Sequence, residues 1–168
     1  MGWIYLVSVW LHVLAATAWI GSMLFFAAVI VPAMRDPAAA AGSPLLLQIV
    51  GRRYRVFGWA SLGTLLVTGI TNLWFRGIRW ALLTDGEFWT TGFGRALAWK
   101  LAFIVLVLAA TTGHDLWMGT AAVKRALADR ASPAAKRYRR GASLLGRSTL
   151  ILSLVVLFFA IELVRGAP

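Results

Sequence analysis

The run WIYLVSVWLHVLAATAWIGSMLFFAAVIV, residues 3–31, decides the fold class of this chain. It contains no Asp, Glu, Lys or Arg, and it is long enough to cross a bilayer as a tilted helix. A single histidine, His12, interrupts it. An ionisable side chain inside a membrane is costly unless it meets a partner, so His12 is the first candidate functional residue.

The composition places the whole chain in the membrane class. Of its 168 residues, 60% are hydrophobic and 14% are charged, and the mean hydropathy is +0.77. These values lie outside the range of ordinary soluble domains and predict an all-α integral membrane protein. The first run is about twice as long as a signal-peptide core of roughly 7–15 residues, so we expect it to be retained. The absence of cysteine excludes disulfides, iron–sulfur clusters and a thiolate copper relay.

Four apolar spans are predicted, at residues 3–31, 56–75, 96–118 and 148–164, within one membrane domain covering residues 1–168. Spans joined by polar loops favour a four-helix bundle with antiparallel neighbours. Proline cannot continue the backbone hydrogen bonds of a helix, so Pro32 and the segment Arg35-Asp36-Pro37 are expected to end the first helix. Residues 45–57 are expected to approach the membrane as an amphipathic segment. Ser132-Pro133 is expected to interrupt the basic segment before the fourth span.

Lysine and arginine are distributed unevenly between the two sides of the predicted bundle. The loops at residues 32–55 and 119–147 hold four and eight of them, whereas the opposite side holds four, with Lys100 set aside. The positive-inside rule therefore places both loops in the cytoplasm and both termini outside. Because this clustering accounts for the formal charge of +11, the predicted partner is the lipid bilayer and not nucleic acid.

The orientation also predicts the depth of the polar side chains. Measured from the cytoplasmic loops, His12 and Lys100 lie at similar levels, and Asn72 and Glu162 fall toward the outer ends of their spans. We therefore predict that four polar side chains, one per helix, converge in the outer half of the bundle. His114 follows Lys100 by 14 residues, about 21 Å along a helix axis, so it is not expected to share one haem with His12.

One face of the first helix is expected to carry the site. Small residues on it leave room beside the imidazole for a flat ligand or for a close helix. The alternatives are structural: helix packing for this face, snorkelling to the surface for Lys100, an interhelical hydrogen bond for Asn72, and an interfacial position for His114. The residues that share this face at spacings of three or four are Tyr5, Ser8, His12, Ala15, Ala16, Trp19 and Met23.

Short motifs follow one another along the first three spans. They are Leu11-His12, Trp19-Ile-Gly21 and Pro32, then Gly51-Arg52-Arg53-Tyr54 and Leu66-Val67-Thr68-Gly69-Ile70-Thr71-Asn72, then Phe93-Gly94-Arg95 and Lys100-Leu101. In this order and spacing they resemble the copper-resistance D (CopD) membrane domain, and the likeness extends more loosely to the fourth span. That resemblance implies a copper-handling module of the bacterial inner membrane.

The chain is also distantly similar to the membrane protoporphyrinogen oxidase family of the HemJ type, four-helix bundles associated with b-type haem. This resemblance implies that a histidine in the first helix and a lysine in the third matter for activity, roles that fall here on His12 and Lys100. An asparagine is usual in the copper-resistance domain where this chain has His114, and that departure leaves open a second, inner ligand.

The function expected from these observations is binding of haem b through His12, for redox or electron-transfer work on the outer side. Lys100 is the candidate catalytic residue, near the propionates or the reacting edge, and Trp19, Asn72 and His114 are further cofactor-site candidates. An oxidoreductase activity, a quinone or other electron-transfer partner, and a homo-oligomer stay open. The alternatives are copper transport or delivery, with His12 and a methionine as ligands, and a cofactor-free structural subunit. Copper prefers thiolates or clustered imidazoles, which the sequence lacks, so haem is the favoured ligand.

Overall fold

A computed structural model describes residues 2–33, 43–118 and 132–165. The helices are α1 (Trp3–Ala33), α2 (Ser43–Phe75), the short α3 (Trp80–Leu83), α4 (Gly92–Met118) and α5 (Pro133–Arg165), with a 3-10 turn at Phe88–Thr90. None of the described residues is in a β-strand. The prediction of an all-α protein is therefore confirmed.

Four of the helices are long and apolar enough to cross a membrane. Their spanning segments are Trp3–Ala33, Ile49–Phe75, Gly92–Trp117 and Pro133–Arg165, with mean hydropathies of 2.2, 1.3, 1.8 and 2.2. Each predicted span falls on one of these four helices. The chain is accordingly a multi-pass membrane protein with four spanning helices.

Helix α1 continues through Pro32, which was expected to end it. The helix is α-helical over Trp3–Phe25, widens to a π-helical turn over Phe26–Ile30, and is α-helical again over Val31–Ala33. In a regular α-helix the proline ring clashes with the carbonyl four residues earlier. A π turn directly before the proline changes the hydrogen-bond pattern there and so accommodates the ring. The expected breakers at residues 35–37 lie outside the described residues.

Helices α2 and α5 are longer than the apolar spans that predict them. The expected amphipathic approach and the second span form one uninterrupted helix, Ser43–Phe75, because no proline interrupts the chain between them. The expected break at Ser132-Pro133 is instead the start of α5. The Ser132 hydroxyl accepts a hydrogen bond from the backbone N–H of Ala135 at 3.1 Å, and Pro133 takes the first helical position, where a missing N–H costs nothing.

The chain divides into two compact units, Met1–Thr84 and Asp85–Pro168. In the first unit α1 packs against α2, and in the second α4 packs against α5. Contacts within each unit pair the start of one helix with the end of the other: Tyr5 meets Phe75, and Trp99 meets Phe159. Both pairs are therefore antiparallel, as predicted for neighbouring helices.

Candidate functional site

The predicted face of α1 is the face that packs against α2. Ser8, Ala15, Trp19 and Met23 are buried on it. The other residues predicted to share this face, Tyr5, His12 and Ala16, are half-buried. In contrast, Trp3 and Trp10 are 82% and 61% exposed, as expected for side chains that face lipid. The helical spacing thus predicted the buried face of α1 correctly.

His12 meets a threonine of α2. Its Nδ1 lies 2.8 Å from the hydroxyl oxygen of Thr68, which is itself buried. The two residues are 56 positions apart in sequence, so the contact depends on the register between α1 and α2. The imidazole therefore has a specific partner inside the membrane-spanning part of the first unit.

The hydrogen bonds of Thr68 favour one tautomer of His12. The Thr68 hydroxyl donates to the backbone carbonyl of Thr64 at 2.6 Å, with the Leu65 carbonyl at 3.4 Å. A hydroxyl has one proton, and a carbonyl only accepts, so that proton is directed to the carbonyls. With its proton on a carbonyl, the Thr68 oxygen can accept from Nδ1–H of His12. In that tautomer of neutral His12, Nε2 carries the lone pair that binds a metal.

The same threonine also joins a second residue of α1. The Ser8 hydroxyl, which is buried, donates to the Thr68 backbone carbonyl at 3.4 Å. Beside it, Gly69 lies against the imidazole, and a Cβ at this position would stand 3.4 Å from His12 Cε1, an ordinary van der Waals distance. The ring of His12 therefore lies against α2 at both Thr68 and Gly69.

Trp19 is buried two helical turns along α1 from His12, and a glycine of α2 makes room for it. Only 5% of Trp19 is exposed, and a Cβ on Gly58 would stand 2.9 Å from its ring carbon Cζ3. Carbon atoms without a bond between them are best separated by about 3.5–4.0 Å. Gly58 is therefore needed for the close approach of α1 and α2, and Trp19 acts here as a packing residue.

Asn72 stands one helical turn beyond Thr68, on the same side of α2. Its Oδ1 atom is buried, and no described residue donates a hydrogen bond to it. Buried polar side-chain atoms usually have a partner, so this amide has unused capacity for a bound polar group. The interhelical hydrogen bond weighed as its structural role is not made by this atom within the described residues.

A shallow groove of about 260 Å³ opens between α1 and α2. His12 is not among its lining residues, although Ala15, which lies on the same face of α1, is. The groove is walled by apolar and small residues, namely Leu11, Leu14, Ala15, Ala18, Phe57, Ala60, Ser61 and Thr64.

Lys100 and His114, the other predicted site residues, both belong to α4 in the second unit. Lys100 is half-buried, next to Trp99, whose ring stacks on Phe159 at 6.5 Å. The helix between Lys100 and His114 is continuous, so they are about 21 Å apart along its axis. His114 Nδ1 lies 3.6 Å from Asp115 Oδ1, and about a third of the His114 side chain is exposed. The interfacial position weighed for His114 stays a prediction.

The described ranges contain no group of three or more His, Cys, Asp or Glu side chains that would hold a metal ion. Within α1, Met23 follows His12 by 11 residues, about 16 Å along the axis, so these two residues do not ligate one copper ion. His12 would therefore act as a single protein ligand to a group held mainly by other contacts. The convergence of one polar side chain from each of the four helices stays a prediction.

Taken together, the fold and the site define a multi-pass helical membrane protein with a hydrogen-bonded histidine between its first two spanning helices. The chain belongs to the same family as a protein of Aquifex aeolicus (strain VF5) named only as uncharacterized. The two are 32% identical over 157 residues, which is 93% of this chain and 92% of the relative. No family model and no solved structure matches the chain.

Sequence reasoning did not single out Thr68 as the partner of His12. The second span contains Thr64, Thr68 and Thr71, and an apolar span gives no sign of which hydroxyl faces α1. The signal that was present is spacing: Ser61, Thr68 and Asn72 are separated by seven and four residues and therefore share one face. A hairpin with His12 opposite that face brings Thr68 to the imidazole.

Proposed function

We propose that this protein binds b-type haem through Nε2 of His12, as a bacterial inner-membrane protein of the copper-resistance D type with distant similarity to the HemJ type. The observation that carries the proposal is the pair of hydrogen bonds at Thr68. Metal-binding histidines usually donate their other ring N–H to a fixed acceptor, which sets the tautomer and orients the ring. His12 Nδ1 lies 2.8 Å from Thr68 Oγ1, and donation of Nδ1–H to this oxygen would give His12 the protonation that iron ligation requires.

Three other residues of the first unit support the proposal. Gly69 and Ala16 put little bulk beside the imidazole, and Asn72 has a buried amide oxygen without a described donor. Such an amide would hydrogen-bond a polar substituent of the cofactor or a water at its edge. Haem iron, when bound, exchanges one electron; the protein's contribution is to hold the ring plane, exclude water and set the charge nearby.

Lys100 has a separate role in the proposal. The resemblance to the HemJ type gives the third-helix lysine a role in activity, and an ammonium beside the propionates would stabilise their negative charge and favour the reduced state of the iron. The Lys100→Gln variant is therefore expected to keep the Soret absorption but to show a lower midpoint potential. Redox or electron-transfer work with a quinone or another electron carrier would follow from this arrangement.

The test is the absorption spectrum of protein purified from haem-sufficient cells. We expect a Soret band that is lost in His12→Ala and reduced in Thr68→Val, because losing the orienting partner of a metal-binding histidine weakens affinity by about 10–100-fold. Thr71→Val is the matched control, since its hydroxyl bonds only to its own helix, at the Val67 carbonyl. It should leave the band intact.

The outcomes separate the candidate functions. A protein without a Soret band, or with a band that persists in His12→Ala, would reject haem ligation by His12. Copper bound in proportion to protein and lost in His12→Ala would favour the copper alternative. Neither haem nor copper in the purified protein, together with normal assembly, would favour the cofactor-free structural subunit.

A further inference from the structure

A basic motif with a central tyrosine occurs once in each unit. It reads Arg52-Arg53-Tyr54-Arg55 in the first unit and Lys136-Arg137-Tyr138-Arg139 in the second, 84 residues later. Both copies, called here the basic-aromatic motifs, lie in the N-terminal part of the second long helix of their unit. The orientation predicted from the sequence puts residues 32–55 and 119–147, which contain the two motifs, in the cytoplasm.

The two tyrosines pack in the same way. In the first unit the ring of Tyr54 lies 5.4 Å from that of Phe26 in α1, at an angle of 43°. In the second unit the ring of Tyr138 lies 5.4 Å from that of Trp117 in α4, at an angle of 48°. Basic residues that only orient the chain in the membrane do not need a tyrosine packed on an aromatic ring of the neighbouring helix. The repetition of this ring contact therefore indicates that the motif has a further role.

A glycine close behind each tyrosine repeats the pattern. Gly58 follows Tyr54 by four residues, and Gly141 follows Tyr138 by three. A Cβ on Gly141 would stand 2.7 Å from Trp117, as one on Gly58 would stand 2.9 Å from Trp19. In both units, therefore, an indole from the first helix fills the space over a glycine near the basic-aromatic motif.

In the second unit the motif borders an open cavity of about 420 Å³. One wall is aromatic, from Trp117 and Tyr138, and Arg137 is the charged residue of the lining. The remaining lining residues are Pro133, Ala134 and Gly141, at the beginning of α5. The cavity lies where the spanning segment Gly92–Trp117 ends, which is the level of lipid headgroups.

The occupant that fits this cavity is the headgroup of an anionic phospholipid. The arginine offers several N–H donors in a geometry that matches phosphate oxygens. Tryptophan and tyrosine rings favour the boundary between headgroups and acyl chains, where a lipid presents its glycerol. Clusters of Lys and Arg directly beside a spanning helix attract anionic lipids by about 1 kcal/mol per charge.

We propose that the two basic-aromatic motifs are a duplicated pair of binding sites for the phosphate of anionic phospholipids. Arg137 and Arg53, at equal positions in the two motifs, contact the phosphate, and the paired aromatic rings contact the lipid below it. Each site would attach the beginning of α2 or α5 to the membrane surface. The proposal is independent of any haem at His12.

The experiment is a lipid titration of the full-length purified protein in detergent, read by native mass spectrometry. Phosphatidylglycerol is compared with phosphatidylcholine, and inorganic phosphate is tested as a competitor. The variants are Arg137→Gln, Arg53→Gln and their combination. The matched control is Arg147→Gln, the same charge change on α5 at a residue that does not line the cavity. Circular dichroism checks that each variant remains helical.

We expect phosphatidylglycerol to bind in preference to phosphatidylcholine. Each single variant should weaken its binding about five-fold, the equivalent of ~1 kcal/mol, and the double variant should weaken both sites. Arg137→Lys keeps the charge but loses the planar set of donors, so it should bind more weakly than the unchanged protein and more strongly than Arg137→Gln. Equal losses in Arg137→Gln and Arg147→Gln would overturn the proposal, as would equal binding of the two lipids. Displacement of the lipid by inorganic phosphate would overturn the lipid assignment in favour of a soluble anion.

Discussion

Replacing Gly58 with alanine tests the close packing of α1 on α2. The new Cβ would stand 2.9 Å from Cζ3 of Trp19, well inside the preferred separation of about 3.5–4.0 Å. Relief requires Trp19 to move by about 0.6–1.1 Å, and this side chain is only 5% exposed. Overpacking of a well-packed interior costs about 1–3 kcal/mol.

The alanine also stabilises the helix itself, so a control variant must show the size of this effect without the clash. Alanine is favoured over glycine inside a helix by about 1 kcal/mol. Gly63 lies on the same helix with nothing near its Cβ position, so Gly63→Ala receives this gain without a clash. We therefore expect Gly63→Ala to be neutral or stabilising, and Gly58→Ala to unfold more easily than Gly63→Ala by about 1–3 kcal/mol.

The measurement is the free energy of unfolding in mixed micelles, by titration with a denaturing detergent and circular dichroism. The double variant Gly58→Ala with Trp19→Phe adds a second reading, because the smaller ring should relieve part of the clash. Equal stabilities of Gly58→Ala and Gly63→Ala would refute the close packing of Trp19 on Gly58. The close packing would also be refuted if the double variant lost more free energy of unfolding than the two single variants lose together.

Three further predictions concern other parts of the chain. Gly94→Ala should destabilise the protein by more than Gly58→Ala, because its Cβ would strike the backbone of Phe88, which cannot rotate away; Gly146→Ala, with open space around it, should not. The comparison is by unfolding in detergent, and equal effects would contradict it. Ser132→Ala should lower the free energy of unfolding by about 1 kcal/mol, because it removes the N-cap of α5. Ser132→Asp should keep that stability, because aspartate also caps a helix. A periplasm-active reporter fused after Pro168 should be active, and activity of a cytoplasmic reporter there would contradict the predicted orientation.

The class of protein was predictable because it depends on local properties. A charge-free run of 29 residues indicates a spanning helix whatever its neighbours do, and spacing by three and four residues indicates which side of that helix is buried. Ser8 and Trp19 were accordingly placed on the correct face. The ends of the helices were less predictable, because Pro32 lies within α1 and Ser132-Pro133 begins α5.

The partner of His12 was less accessible to sequence reasoning. The motif Thr68-Gly69 was recognised only as part of a resemblance, and the depth count directed attention to Lys100 instead. The difference is physical: depth follows from counting residues along helices, whereas a hydrogen bond requires the register and rotation of two helices to be known within about 1 Å. The contact between Gly69 and His12 was equally unpredictable from the sequence, because it depends on where the imidazole lies.

The sequence by itself determined that this is a helical membrane protein with four spans, and it identified the face of α1 that carries His12. Both follow from apolar length and helical period, which act within a single helix. Only the tertiary structure decided that His12 meets Thr68, whose hydroxyl also reaches the Thr64 carbonyl, and that glycines admit Trp19 and Trp117. Those contacts join residues far apart in the chain, and their geometry exists only once the helices of each unit are packed together.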